Sequence, residues 1–410
     1  MIPNQGGTRQ DSLHAWLVLA VASSIMGMGA GSLISISTFL TPLVQETGWS
    51  RGEISFGYTL STLSVGVGGI AMGYLSDRFS NRPVTIFGIV CLAASLYLLS
   101  TLSELWQFYL YCSILGGLGA STFDAPLLAS IGNWFRHNKG LALGMCYAIR
   151  GLGQGLIPFV GGLLIASSGW RDAYMILGGF CLIVLLPLAF FIKDPPGLQE
   201  EKEASRVAVP AERNADYPMA STTVVIWLSA AAIGCCVCMG TAMVHVVSLA
   251  EVTGVNTQDA AWIILLIYFS GFFGRIVTGK AADHIGAIRA YWLASFCQTV
   301  LIFWFTEIET LTIFYVYAAI FGFGMSGVMT GLVVCVRELV PIHVRGLSNG
   351  IVIFAAWAGM GLGGYQGGLF YDLTGSYVIP FANATVFGLM NLCIVGALFI
   401  SHRRKVLALA

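Results

Sequence analysis

Twelve apolar segments run through the 410-residue chain, at 16–43, 54–75, 84–102, 105–131, 140–166, 173–192, 222–249, 260–282, 290–305, 311–336, 347–370 and 378–400. A helix rises about 1.5 Å per residue and a bilayer core is about 30 Å thick, so about 20 apolar residues span it. In lipid every backbone N–H and C=O must be satisfied within the segment or in a closed barrel, and continuous apolar runs of this length do so as helices. The expected fold is therefore an all-α membrane protein with twelve transmembrane helices. Composition agrees, with 57% hydrophobic residues, 10% charged residues and a mean hydropathy of +0.81. A water-soluble core cannot hide that much apolar sequence, so the lipid bilayer is the expected surrounding.

Other classes are disfavoured. The net charge is zero, which argues against nucleic acid as a partner. The ten cysteines lie mostly inside apolar runs without metal-ligand spacing and read as small packing residues. No nucleophile–base pair, phosphate-binding loop or metal cluster stands out, so neither an enzyme nor a cofactor is expected. Residues 1–14 are polar and no small-residue cleavage site follows, so the first apolar run reads as a retained helix.

A polar stretch divides the segments six and six. It holds Asp194-Pro195-Pro196-Gly197 and the cluster Glu200-Glu201-Lys202-Glu203, and reads as a linker or surface helix. The expected units are 1–193, a linker at 194–220, and 221–410. Arg9, Arg78, Arg82, Arg136, Lys139, Lys193, Lys280, Arg289, Arg337, Arg345, Arg403 and Arg404 all fall on one side; Arg51 and Arg171 fall on the other. The positive-inside rule then places both termini and the linker in the cytoplasm, and the chain in the cytoplasmic membrane.

The halves repeat at a fixed offset. Gly73, Asp77 and Arg78 precede Gly279, Asp283 and His284 by 206 residues; Lys139-Gly140-Leu141 precedes Arg345-Gly346-Leu347 by the same interval, as Gly169 does Gly375. Two parallel six-helix repeats with these loop motifs resemble the major facilitator superfamily over nearly the whole chain. That resemblance implies a monomer whose substrate site lies near the midplane between the halves, exposed alternately to either side. The first loop departs from the superfamily pattern at Ser80 and Asn81, where glycine and a basic residue are usual. Within the superfamily the closer likeness is to monocarboxylate transporters and the bacterial oxalate:formate antiporter. It rests on Asp11-Ser-Leu-His-Ala-Trp16, on Trp134-Phe-Arg-His-Asn-Lys139, on Gly169-Trp-Arg-Asp-Ala-Tyr174 and on Gly271-Phe-Phe-Gly-Arg275. The last resembles the eighth-helix motif whose arginine binds the substrate carboxylate. The family's neighbouring acidic residue falls on Gly271, its first-helix lysine near Ile34, and the antiporter's eleventh-helix lysine near Trp357.

Candidate residues follow from charge placed inside apolar sequence. Arg275 lies eight residues before Asp283, where the apolar run ends, or about 12 Å inside the boundary. An arginine there faces a cavity, a partner or a substrate, and its planar fork grips a carboxylate at two points. The competing reading is a structural arginine bonded to carbonyls of a neighbouring helix. Asp124 and Arg150 lie thirteen residues either side of His137, so a hairpin brings them to equal depth, as a structural ion pair or a switchable one. His245 is a candidate proton carrier or an ordinary interface histidine. Tyr365, Gln366 and Trp357 either line the cavity or pack. Asp77 and Asp283 should face the positive ends of helices starting near Gly346 and Gly140, with Arg78, Lys139 and Arg345 completing a cytoplasmic gate.

The resulting expectation is a secondary transporter of a small organic anion, a monocarboxylate by the closer resemblance, with protons as a possible coupling ion. Two alternatives stand beside it: an exporter of drugs or amphiphiles that uses Asp124, and a transporter-like sensor that binds without moving its ligand.

Overall fold

The computed structural model describes residues 13–123, 127, 131, 134–135, 139–192 and 219–409, excluding the side chains of 77, 139–141, 143, 342–343 and 405–409. Helix α1 comprises Leu13–Ile34 and Ile36–Thr47, bent at Ser35, whose hydroxyl donates to the Gly31 carbonyl at 2.9 Å. Such back-bonding competes with the helical ladder and bends it. Then come α2 (Arg51–Phe79), α3 (Asn81–Ser100), α4 (Leu105–Ile114, continued by a π turn at Leu115–Ala120) and α5 (Lys139–Ser168). Helix α6 starts as Trp170–Phe180 and continues through a π turn at Cys181–Leu185 to Leu186–Ala189. The second set is α7 (Ser221–Val252), α8 (Thr257–Ile285), α9 (Ala287–Phe303), α10 (Leu311–Leu339), α11 (Ile342–Thr374) and α12 (Val378–Leu409).

Eleven helices among the described residues are long and apolar enough to cross a bilayer, and α4 supplies the remaining apolar segment. Several run past their apolar stretch: α12 is 32 residues long and carries Arg403 and Arg404 in its last turns. A helix ladder continues into water once the lipid-embedded part has nucleated it, so apolar length understates helix length.

The repeat seen in sequence reappears in backbone geometry. The described residues with positive φ fall into three pairs, each separated by 206 residues: Gly48 and Gly254, Ser80 and Gly286, Gly169 and Gly375. The N-caps repeat as well. Ser50 accepts from the Glu53 amide at 3.2 Å, and Asn256 accepts from the Asp259 amide at 2.8 Å. These caps satisfy amides that the first helical turn leaves free.

Packing follows the same pairing. Helix α1 lies on α5 as α7 lies on α11, α2 on α4 as α8 on α10, and α3 on α6 as α9 on α12. Close approach is made with small residues. A Cβ on Gly153 would strike the Gly27 backbone, and one on Gly359 would come within 2.6 Å of the Ile233 carbonyl, the equivalent contact in the other set. Small residues let helix backbones meet in lipid, where no hydrophobic effect drives them together. Two crossings join the sets, α2 with α11 and α5 with α8, and α1 touches α7. Below, "inner" denotes the ends of the helices facing the side of both termini, and "outer" the opposite ends.

Candidate functional site

The α5–α8 crossing holds Arg275. Its guanidinium leaves α8, crosses to α5, and donates to the Tyr147 carbonyl at 2.8 Å and to Gln154 Oε1 at 3.5 Å. Gly151, between those two residues, makes room: a Cβ there would overlap the guanidinium. Arg275 is partly buried and Gln154 is buried. Both oxygens are neutral, and among the described residues no carboxylate pairs with Arg275. Arg150 acts electrostatically on Arg275, and both act on Tyr268, which is buried two turns further out on α8. The structure thus brings Arg150 and Arg275 near one another at the crossing. Asp124 lies outside the described residues. Sequence reading missed Tyr147 and Gln154; their spacing of three before and four after Arg150 marks one face of α5.

The remaining candidates go elsewhere. His245 on α7 is completely buried in the outer half. Its Nε2 lies 2.7 Å from the Gly364 carbonyl and 3.5 Å from Ser55 Oγ, and its Nδ1 lies 3.4 Å from the Tyr377 hydroxyl. A carbonyl only accepts, so Nε2 carries a proton, and Nδ1 is left to accept from Tyr377. Tyr268, seven residues or about 10 Å outward of Arg275 on α8, donates to Met243, two residues before His245, at 3.1 Å. His245 therefore belongs to the outer seal, well above the arginine. Tyr365 packs edge-on to Phe56 of α2 with ring centres 5.5 Å apart, and Trp357 is partly buried against the core. Gln366 is occupied inside the second set, donating to Thr241 Oγ1 at 2.7 Å and accepting from Asn383 at 3.0 Å.

On the outer side the sets are joined by polar contacts. The α2 amides of Arg51 and Gly52 donate to the two oxygens of Asp372 on α11, at 3.0 and 2.6 Å. Arg51 also donates to the Tyr377 hydroxyl at 2.9 Å and stacks 4.5 Å from the Tyr371 ring centre. Thr41 of α1 meets Ser248 of α7 at 3.2 Å, and Thr59 of α2 donates to the Gly361 carbonyl of α11 at 2.8 Å. Both basic residues that broke the charge bias are thus held in contacts; Arg171 pairs with Glu46 and lies over the Trp170 ring.

On the inner side the sets part. A Cβ on Gly66 of α2 would meet Phe354 of α11 at 2.6 Å, whereas Gly73, two turns inward on the same face, meets nothing within 4 Å among the described residues. Gly151 abuts Arg275, whereas Gly144, two turns inward on α5, also meets nothing. On α11, Gly361 abuts Thr59 and Thr62, whereas Gly350 and Gly346 face open space. The residues expected at a cytoplasmic gate are placed as follows. Asp283 and Arg78 are exposed, and Arg345 folds back on its own set, donating to the Val340 carbonyl at 3.1 and 3.2 Å. The side chains of Asp77 and Lys139 lie outside the described residues.

Two helical sets sealed at one end and parted at the other have the architecture of a membrane transporter. The chain belongs to the Major Facilitator Superfamily, whose sequence model matches residues 16–364. It is 27% identical over 389 residues to an uncharacterized MFS-type transporter of Bacillus subtilis (strain 168), YcxA, covering 91% of this chain and 92% of that one. It is 24% identical to the aspyridones efflux protein apdF of Emericella nidulans over 79% of this chain and 64% of that one. It is 27% identical to monocarboxylate transporter 3 of Rattus norvegicus over 48% of this chain and 40% of that one. Among solved structures, a bacterial homolog of the human lysosomal transporter Spinster, inward-facing and unoccupied, superposes with a TM-score of 0.72 at 14% identity, over 97% and 98% of the two chains.

Proposed function

We propose that this transporter carries a small organic anion, a monocarboxylate, with Arg275 as the carboxylate ligand. One observation carries the reading: Arg275 reaches across the crossing of the two sets with only neutral oxygens as described hydrogen-bond partners. A substrate carboxylate offers the fork a charge-assisted, two-point contact stronger than the carbonyl and amide it would displace. Exchanging Tyr147 and Gln154 for substrate also couples binding to the distance between α5 and α8, which is what a carrier requires of its ligand. The likeness to monocarboxylate transporter 3 supports the same reading. In this reading the chain is a monomer in the cytoplasmic membrane with both termini in the cytoplasm, its two transport units being 1–193 and 221–410 joined by 194–220.

A second reading, export of an amphiphile, draws on the likeness to the aspyridones efflux protein. Flux into proteoliposomes separates the two. Radiolabelled monocarboxylates, amino acids and lipophilic cations are offered at equal concentration, and the proposal expects monocarboxylates to rank first. Preference for lipophilic cations would establish the exporter, and binding without flux would establish a sensor.

A further inference from the structure

The outer seal is chemically lopsided although the fold is built from repeats. Asp372 stands at the outer end of α11 and accepts from the first two amides of α2, Arg51 at 3.0 Å and Gly52 at 2.6 Å. Shifting by the repeat interval of 206 residues puts Ala166 on α5 where Asp372 stands on α11, and Thr257 on α8 where Arg51 stands on α2. At that second crossing the contact is apolar: a Cβ on Gly162 of α5 would meet the Ala261 methyl of α8 at 2.7 Å. Among the described residues, one crossing is thus closed by a carboxylate on a helix N-terminus and the other by apolar packing.

We propose that Asp372 is the outer latch of the transport cycle, a positioning residue whose bond to the α2 N-terminus sets the balance between outer-closed and outer-open states. The contact joins the two sets directly, so the outer side cannot open without breaking it. The first amides of a helix have no intrahelical acceptor and carry the positive end of its dipole, so the carboxylate satisfies two of them and their charge together. At the same helix start the Ser50 hydroxyl accepts from the Glu53 amide and the Glu53 carboxylate accepts from the Ser50 amide, which leaves the Arg51 and Gly52 amides to the other set. Behind the carboxylate, Arg51 is oriented by Tyr371 and Tyr377, and Tyr377 in turn rests on His245. The latch is therefore backed by a completely buried residue and does not hang on a loop. The assignment is independent of which solute is carried.

The test reads the state balance. Spin labels are introduced through an unnatural amino acid at Ser103 and Glu309, exposed outer residues at equivalent places in the two sets, and separately at Phe79 and Ile285 on the inner side. Pulsed dipolar distances are then recorded in lipid nanodiscs. Replacing a capping side chain by alanine costs about 0.5–2 kcal/mol, so Asp372→Ala should shift the outer-closed to outer-open ratio toward open by roughly 2- to 30-fold. The inner distance should shorten in the same fraction of molecules. Asp372→Asn, whose single carbonyl oxygen serves one amide, should move the ratio part of the way. Arg51→Gln, which keeps both amide donors, should move it less than Asp372→Ala does. Folded Asp372→Ala protein with wild-type distance distributions overturns the latch. If the alanine variant fails to fold, Asp372→Asn decides by the same criterion.

Discussion

At the scale of single residues, Arg275 makes a sharp test because Tyr147 and Gln154 fix both prongs of its fork. Lysine keeps the charge but offers a point contact, losing one charge-assisted hydrogen bond of about 1.5–3 kcal/mol, or roughly 10- to 100-fold in transport. Arg275→Lys should therefore cut monocarboxylate flux by that factor while protein yield and melting temperature stay near wild type. A lysine variant with wild-type kinetics would remove Arg275 from the substrate site. His245 is a different case. Its sequence position makes it a proton-carrier candidate, yet it is completely buried in the outer seal while the inner side stands open. A proton carrier must be reached by water from the side to which the transporter has opened, and this imidazole is not. His245→Gln is accordingly expected to lower gradient-driven uptake and substrate counterflow by the same factor, because it weakens the seal that both depend on. Loss of accumulation with counterflow intact would return His245 to the proton path.

At the scale of elements, the turn between α2 and α3 stores a local conflict. Ser80 has φ 81° and ψ 161°, and its repeat partner Gly286 has φ 86° and ψ 152°. That region is essentially reserved for glycine and costs other residues about 1–3 kcal/mol. The Ser80 side chain caps nothing, so no hydrogen bond offsets the cost. Ser80→Gly should raise stability by about 1 kcal/mol, read as a higher melting temperature of the detergent-solubilised protein. No rise would mean that the serine side chain contributes as much as the turn costs. This departure was already visible in the sequence, where serine stands in a motif position that takes glycine, and the backbone shows that the turn kept its shape. Other features were equally legible: apolar length gave the helices, the 206-residue offset gave the repeated caps, and the depth of Arg275 put it at the crossing of the sets. What the sequence hid were contacts between residues far apart in the chain. Asp372 lies 321 positions from the Arg51 amide it accepts from, and no local pattern links the two. The one available signal was Arg51 itself, which with Arg171 is one of two basic residues on a side otherwise without them. His245 was ambiguous for a related reason: periodicity shows that a residue is inside an apolar helix, but not whether its neighbours are water, substrate or another helix.

At the scale of the whole molecule, the glycines that face nothing are as informative as those that are crowded. Among the described residues, a Cβ on Gly73 of α2 or Gly350 of α11 would meet no atom within 4 Å, while Gly66 and Gly361 further out on the same helices are pressed against the opposite set. Alternating access requires the inner ends to close when the outer ends open, since the two sets move largely as rigid bodies about their crossings. The small inner residues then become the surfaces that must meet, and a large side chain there is harmless only while the inner side is open. Surface substitutions in open space change stability by about 0.5 kcal/mol or less, so Gly73→Leu and Gly350→Leu should fold and melt close to wild type. Transport should nevertheless fall by roughly 5- to 150-fold, because overpacking a closed contact costs roughly 1–3 kcal/mol in that state alone. The label pair at Phe79 and Ile285 should report the long inner distance in nearly all molecules, with or without substrate. Normal flux in both variants would show that these faces never approach. The inner gate would then have to be sought in the loop charges, Asp283 and Arg345 first among them.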